Sequence, residues 1–365
     1  MTSLLIEPLD VLFLRDGKPF SAGMDHLARS VFPPFPPTLA GFVRSKLLLD
    51  AKLDWNLARE QFGDLGSHEG YGAFRINGLF LRKHEIDYVP VPRDVVRVKD
   101  SDSYGVLSPI QHSGALPITS NLPEKSLLPL WLRTSKPVEA ATGFMSLLDL
   151  FQYCLLGKAP QKVIPEEHFV VREPRTQIGM NPTARTAQQG RLFIIEYLRL
   201  RDDVSFHVFF DGVRWPGQSG LSTFGGEQRP IRWRVLDQWE PPPVTPLEEK
   251  VRASNRFKII LLTPAFFADG WAPSERLHQC LAEAGVEAKL ISAAVDRPVR
   301  IGGFDLHRRT PKPMRMAAPA GSVYFYEIKS GDPSRLVRAW RINGISDHDW
   351  EAGMGLSVIG GWDYA

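Results

Sequence analysis

The 365-residue chain holds only two cysteines, Cys154 and Cys280. They lie far apart in sequence, which suggests neither a disulfide framework nor a zinc site. No apolar run approaches the ~20 residues that a membrane span needs. The opening stretch, MTSLLIEPLD, carries acids and no basic cluster, against a secretory signal. There is no GxxxxGKS/T phosphate loop, no HExxH and no paired CxxC. Nucleotide hydrolysis on a P-loop and zinc proteolysis therefore have no motif to rest on. A net charge of +3 is too small to announce a nucleic-acid binder, so any such claim must rest on local clustering. These absences point to a cytoplasmic protein with no cofactor, no bound metal and no membrane contact.

What is present is ordinary globular material, 43% hydrophobic and 23% charged, with enough apolar residues for a sizeable core. The length suggests two domains. A first strand is expected over 4–14, stopped by Asp16 and Gly17. After the proline-rich stretch VFPPFPP, Thr38 can cap a helix with Leu39, Phe42, Val43 and Leu47 on one face. Short strands are expected over 73–98, a loop-rich insertion to about 141, and a helix over 143–156. A hairpin is expected from 192–200 and 204–210, turning at Asp202 and Asp203. EPPPVTP, 240–246, reads as a semi-rigid linker. Beyond it come a strand (RFKIILL), a helix ending at Gly285, and two strands (VEAKLISAAV, GSVYFYEI). A helix capped by Asp332 with Pro333 at its first position and a last strand (GLSVIGG) follow. Strand, helix, two strands, helix, strand is the split βαβ order, and the first part of the chain has the same ends. The expected fold is α+β, two ferredoxin-like (RRM-like) domains, the first with large insertions. The boundaries are 1–240, a proline-rich linker 241–253, and 254–365.

Chemistry is concentrated in three arginine-bearing stretches. REPRTQIGMNPTARTAQQGR, 172–191, has four arginines, one glutamate and no lysine, and is too polar to form core. Arginine without lysine suits planar, bidentate contacts to phosphate or carboxylate, or stacking on flat rings, although a surface loop would look similar. Gly179, Asn181 and Pro182 can supply a central turn, so that two arms run out and back. Arg175, Gln177, Gly179, Arg185 and Arg191 are its candidate ligand contacts, with Ile178 and Met180 as an apolar wedge. In FGGEQR, Gly225 and Gly226 can bring backbone close to a ligand and present Arg229 to it. Residues 297–315 hold six Arg or Lys against Asp305 alone. There Arg308, Arg309, Lys312 and Arg315 lie among prolines that favour an extended strand, which suits single-stranded nucleic acid. Arg44, on the first helix, is a further phosphate candidate. His26, in the polar connection AGMDHLARS, is the one histidine placed for acid–base chemistry on RNA; a loop histidine without such a role is the alternative.

These stretches carry a resemblance. LDVLFLRDGKPFSAG with SVFPPFPPTLAGFVRSKLL, the arginine-rich segment running into LFIIEYLRL, FGGEQRP, IGGFDLHRRTPKPMRMAAPAGSVYFYEI and GMGLSVIGGW occur in one order. Together they resemble the RAMP superfamily of CRISPR proteins, specifically the third subunit of the Cmr (type III-B) effector complex. The resemblance implies two ferredoxin-like domains, a thumb-like β-hairpin at 172–191 and no catalytic activity. It also implies a role in antiviral defence: holding the 5′ handle of the crRNA while docking the large polymerase-like subunit and a Cmr backbone subunit. Related RAMP proteins cut repeat RNA without metal, so the alternative is an endoribonuclease using His26.

Overall fold

In the computed structural model, the structure describes residues 1–17, 27–111, 127–181, 183–236, 245–305, 307–340 and 342–365. The chain forms two compact units. One comprises 1–85, 166–238 and 300–316, the other 86–165, 239–299 and 317–365.

In the first unit the strands run in the order Arg75–Lys83, Val204–Asp211, Thr2–Pro8, Arg229–Val235, Ser219–Phe224, every neighbour antiparallel. Leu4 and Ile6 face Val208 and Phe206 across the register, and all four are fully buried. The helix α1 (Pro36–Asp50) buries Leu39, Phe42, Val43 and Leu47. Phe42 meets Phe224 of the edge strand edge-on, with ring centroids 5.8 Å apart. Thr38 does not cap this helix. It starts at Pro36, three residues earlier than a Thr38 cap would place it, with Phe35 at the cap position and no side-chain cap bond. Proline is tolerated in a first turn because the N–H it lacks would have no intrahelical partner. A second helix, α2 (Trp55–Phe62), is capped by Asp54, whose carboxylate accepts from Asn56 and Leu57 N–H.

The expected pairing of 192–200 with 204–210 does not occur. Ala187–Leu200 instead pairs antiparallel with Val170–Met180, from Val170 opposite Leu200 to Ile178 opposite Leu192. Val204–Asp211 enters the other sheet, between Thr2–Pro8 and Arg75–Lys83. Two-residue alternation identifies a strand but does not name its neighbour. Val299–Asp305 and Thr310–Ala317 make a two-stranded ribbon.

In the second unit the order is Glu287–Ala294, Val323–Ser330, Arg256–Leu261, Leu356–Gly361, then the short Asn343–Gly344. Neighbours are again antiparallel. The helix over 143–156 begins later than expected. Phe144–Ser146 is a strand, and Ser146 caps α3 (Leu147–Leu156) by accepting from Asp149 N–H at 3.0 Å. The linker expected over 241–253 is helical from residue 245, in α4 (Thr245–Ser254); Pro246 again falls in a first turn. Along the chain, the helix α5 (Glu275–Ala284) follows Arg256–Leu261, and α6 (Pro333–Ala339) follows Val323–Ser330. α5 ends at left-handed Gly285, and α6 is capped by Asp332 with Pro333 in its first turn, both as the sequence predicts. Their core joins Phe257, Ile259, Leu281, Tyr324, Leu336 and Ile359. Beside it lies a buried polar triad. Lys258 is 3.2 Å from Asp94, and the Tyr153 hydroxyl donates to both Asp94 oxygens at 2.6 Å. Among the described residues no helix is long and apolar enough to cross a membrane.

Candidate nucleic-acid interface

The long hairpin 170–200 is built in two electrostatic zones. At its base, four arginines are matched by carboxylates. Arg172 donates to Glu166 at 2.7 Å and to Glu196 at 2.8 Å. Arg175 donates to Glu173 at 2.8 Å. Arg199 bonds the same Glu173 and lies 3.6 Å from Asp10. Arg229 bonds Glu227 and lies 3.6 Å from Asp10 on its other side. Tyr197, only 1% exposed, organises this set. Its hydroxyl donates to Glu227 at 2.9 Å, and the Arg229 and Arg175 guanidinium carbons stand 4.7 and 5.1 Å from its ring centroid. The hydrogen bonds from Arg199 and Arg175 hold the Glu173 carboxyl down at about 2. Burial, followed by the Glu227 contact, raises the Tyr197 phenol.

The tip differs. Asn181 makes the turn with its side chain, accepting from Thr183 and Ala184 N–H at 2.9 and 3.1 Å. Arg185 adopts a left-handed φ of 52°. Pro182 lies outside the described residues. Gly179 belongs to the outgoing arm rather than the turn, and a Cβ there would stand 2.9 Å from Arg191 Cβ. Near it the register slips: Ile178 faces Leu192 but Met180 faces Ala187, so Arg191 lies in a bulged stretch of the return arm. Arg185 and Arg191 are exposed and have no ion-pair partner among the described residues. On the two arms Ile178, Met180 and Leu192 are each at least half exposed. Gln177, opposite Phe193, is half-buried on the outgoing arm.

Two other candidate groups serve packing. Gly225 and Gly226 press against the backbone of Phe13: Gly226 N–H donates to its carbonyl at 2.8 Å, and a Cβ on Gly225 would meet that oxygen at 2.9 Å. Arg44 points into the loop 66–72, where its guanidinium donates to the Ser67 carbonyl and, at 3.0 Å, to the Gly70 carbonyl. The Trp55 and Tyr71 rings flank it at 5.2 and 4.8 Å. Burial lowers its pKa.

The second basic stretch is extended, as its prolines predict, and exposed over nearly all of 307–316. Arg308 lies 3.6 Å from Glu69. Arg309 and Lys312 have no ion-pair partner among the described residues, and Arg315 stands on the same exposed strand. The ribbon is seated where Gly17 meets Gly302, so closely that a Cβ on Gly17 would stand 2.6 Å from Gly302 Cα. His26 lies outside the described residues. Among the described residues no group of three or more His, Cys, Asp or Glu could hold a metal ion. Sequence reasoning missed Tyr197, Arg199 and the carboxylates that neutralise the base. The alternation of charge in RLFIIEYLRL was the one available signal for Glu196, Tyr197 and Arg199.

The sequence model of a family described as CRISPR-associated protein (Cas_Cmr3) matches residues 4–362. No curated protein matches the chain. Among solved structures, one similar chain comes from a type III-B Cmr-beta complex bound to cognate target RNA, studied by cryo-electron microscopy. It is 16% identical with a TM-score of 0.49, over 88% of this chain and 86% of that one. Another comes from a crystal structure of the Csm3–Csm4 subcomplex of the type III-A CRISPR-Cas interference complex, 12% identical with a TM-score of 0.43 over 100% of each chain. Matched over almost its whole length, the chain belongs to the Cas_Cmr3 family of CRISPR-associated proteins.

Proposed function

We propose that this chain is a non-catalytic, RNA-binding RAMP subunit of a type III-B CRISPR (Cmr) effector, working in the cytoplasm in antiviral defence. It holds the 5′ handle of the crRNA and docks the large polymerase-like subunit and a Cmr backbone subunit. The observation that carries the reading is the hairpin 170–200, neutralised at its base and cationic and apolar at its tip. Such a tip offers charge to phosphates and an apolar edge to bases, while the base needs no counter-ion from the RNA. Arg185, Arg191, Arg309 and Lys312 are the leading phosphate contacts. Arg44, Arg175 and Arg229 act mainly by holding the surfaces that carry them.

Two ferredoxin-like domains, 1–240 and 254–365, fit the strand order. Taken in chain order within each half, the strands 2–8, 75–83, 204–211 and 229–235 lie in the sheet as second, third, first, fourth. The strands 256–261, 287–294, 323–330 and 356–361 lie in the same order, that of the split βαβ unit.

Replacing 176–187 by a short Gly-Ser linker in the assembled complex tests the RNA role. Loss of chemical protection at the handle boundary is expected, and unchanged protection would reduce the segment to a loop. For the absence of catalysis, repeat RNA incubated with the purified chain in EDTA should stay intact. Cleavage that His26→Ala abolishes would make the protein an enzyme.

A further inference from the structure

Two histidines that the RNA-binding reading does not use are stacked on the surface of the first unit. The rings of His68 and His307 lie 4.1 Å apart between centroids, 22° from parallel. They come from distant parts of the chain, the loop 66–72 and the turn of the ribbon 299–317, and both residues are exposed. Each ring stands on a fixed loop. Asp305 accepts from His307 and Arg308 N–H at 3.0 and 2.9 Å, and Arg309 takes a left-handed φ of 53°. On the other side Arg44 bonds the Ser67 and Gly70 carbonyls, the Ser67 hydroxyl accepts from Glu69 N–H at 3.1 Å, and Asp64 Oδ1 accepts from Gly66 N–H at 3.1 Å.

An exposed flat pair on two loops tied by these hydrogen bonds has part of its geometry set before any ligand arrives, which lowers the ordering cost of binding. The charges around it favour an anionic ligand. Glu69, the nearby acid, is taken up by Arg308 at 3.6 Å and by the His68 ring at 3.8 Å. Asp305 is engaged with backbone N–H groups, which lower its pKa. Arg309 and Lys312 make no ion pair among the described residues, although the Lys312 charge also lowers the Asp305 pKa. Flat rings with cations beside them are what unpaired nucleotides need, since each has a base face to stack and a backbone phosphate to neutralise.

We infer that the His68–His307 stack is a platform for one unpaired nucleobase of single-stranded RNA, with Arg309 and Lys312 on the adjoining phosphates. The inference rests on the RNA-binding reading and assigns a base contact within it. The test is fluorescence anisotropy of the full chain with an unstructured oligoribonucleotide and with the same backbone made abasic. Wild type should bind the base-bearing strand roughly tenfold tighter, the lower range of one stacked base. The double variant His68→Ala/His307→Ala should lose that preference while its salt slope stays unchanged. The double variant His68→Phe/His307→Phe, which keeps flat rings, should retain it. Equal binding of both strands by wild type, or a preference that survives in the alanine variant, overturns the platform and leaves the phosphate contacts standing. Absence of salt-dependent binding to either strand overturns both readings.

Discussion

Glu173 sits between Arg199 and Arg175, and those hydrogen bonds hold its carboxyl at about 2, against an ordinary value of 4.5. A depressed folded pKa contributes stability that is present above the unfolded value and is lost as pH falls through the folded one. Wild type should therefore exceed Glu173→Gln in stability at neutral pH, with the gap closing from about pH 4.5 towards pH 2 in denaturant melts. A constant gap would mean that the carboxylate charge is not what matters. Arg44 makes the opposite point about charge. Its partners are carbonyls and rings, so Arg44→Ala should destabilise the chain by about 1–3 kcal/mol through the loss of its charge-assisted hydrogen bonds, read by urea unfolding. This role was not legible in the sequence, because a carbonyl acceptor at 67 or 70 leaves no trace in residue type. The Gly225–Gly226 pair is similar: the sequence shows that backbone comes close to something, and only the fold shows that it is Phe13.

At the scale of elements, the hairpin 170–200 separates cations that are already paired from cations that are not. An arginine bound to a carboxylate displaces few counterions from RNA. Arg185→Ala and Arg191→Ala should each flatten the dependence of log K on log salt by about 0.7, the value per phosphate on a single strand. Arg229→Ala should change that slope much less, although Arg229 follows the most suggestive glycine pair in the sequence. Titration of single-stranded RNA at several salt concentrations distinguishes them, and three equal slopes would defeat the two-zone description. The arms themselves were readable from polarity and turn residues. Their pairing was not, because Leu192–Leu200 and Val204–Phe210 both alternate, and an Asp-Asp turn between two alternating runs suggests one sheet where the chain uses two.

Over the whole molecule, the helix ends of the last third followed from local chemistry, since Asp332, Pro333 and Gly285 specify their own conformations. The triad in the second unit had no such local sign: Asp94, Tyr153 and Lys258 share no motif. Lys258 is fully buried, which lowers its pKa, and Asp94 lies opposite it. Lys258→Met alone should cost about 3–5 kcal/mol by leaving Asp94 uncompensated. The double variant with Asp94→Leu should cost less than the two single changes added, and strict additivity in unfolding experiments would mean that the pair is uncoupled.

The two units trade segments: 86–165 leaves the first half of the chain for the second unit, and 300–316 leaves the second half for the first. Cutting the gene at the proline run therefore does not yield two self-sufficient products. A 1–240 fragment would lack the basic ribbon and would expose α3 stripped of the strand it packs on, where Gly360 lies close enough that a Cβ would stand 3.0 Å from Cys154 Cα. Expressed alone, each fragment should aggregate or be degraded. Co-expressed as separate chains, they should reassemble into a soluble pair, because each carries the piece that the other is missing.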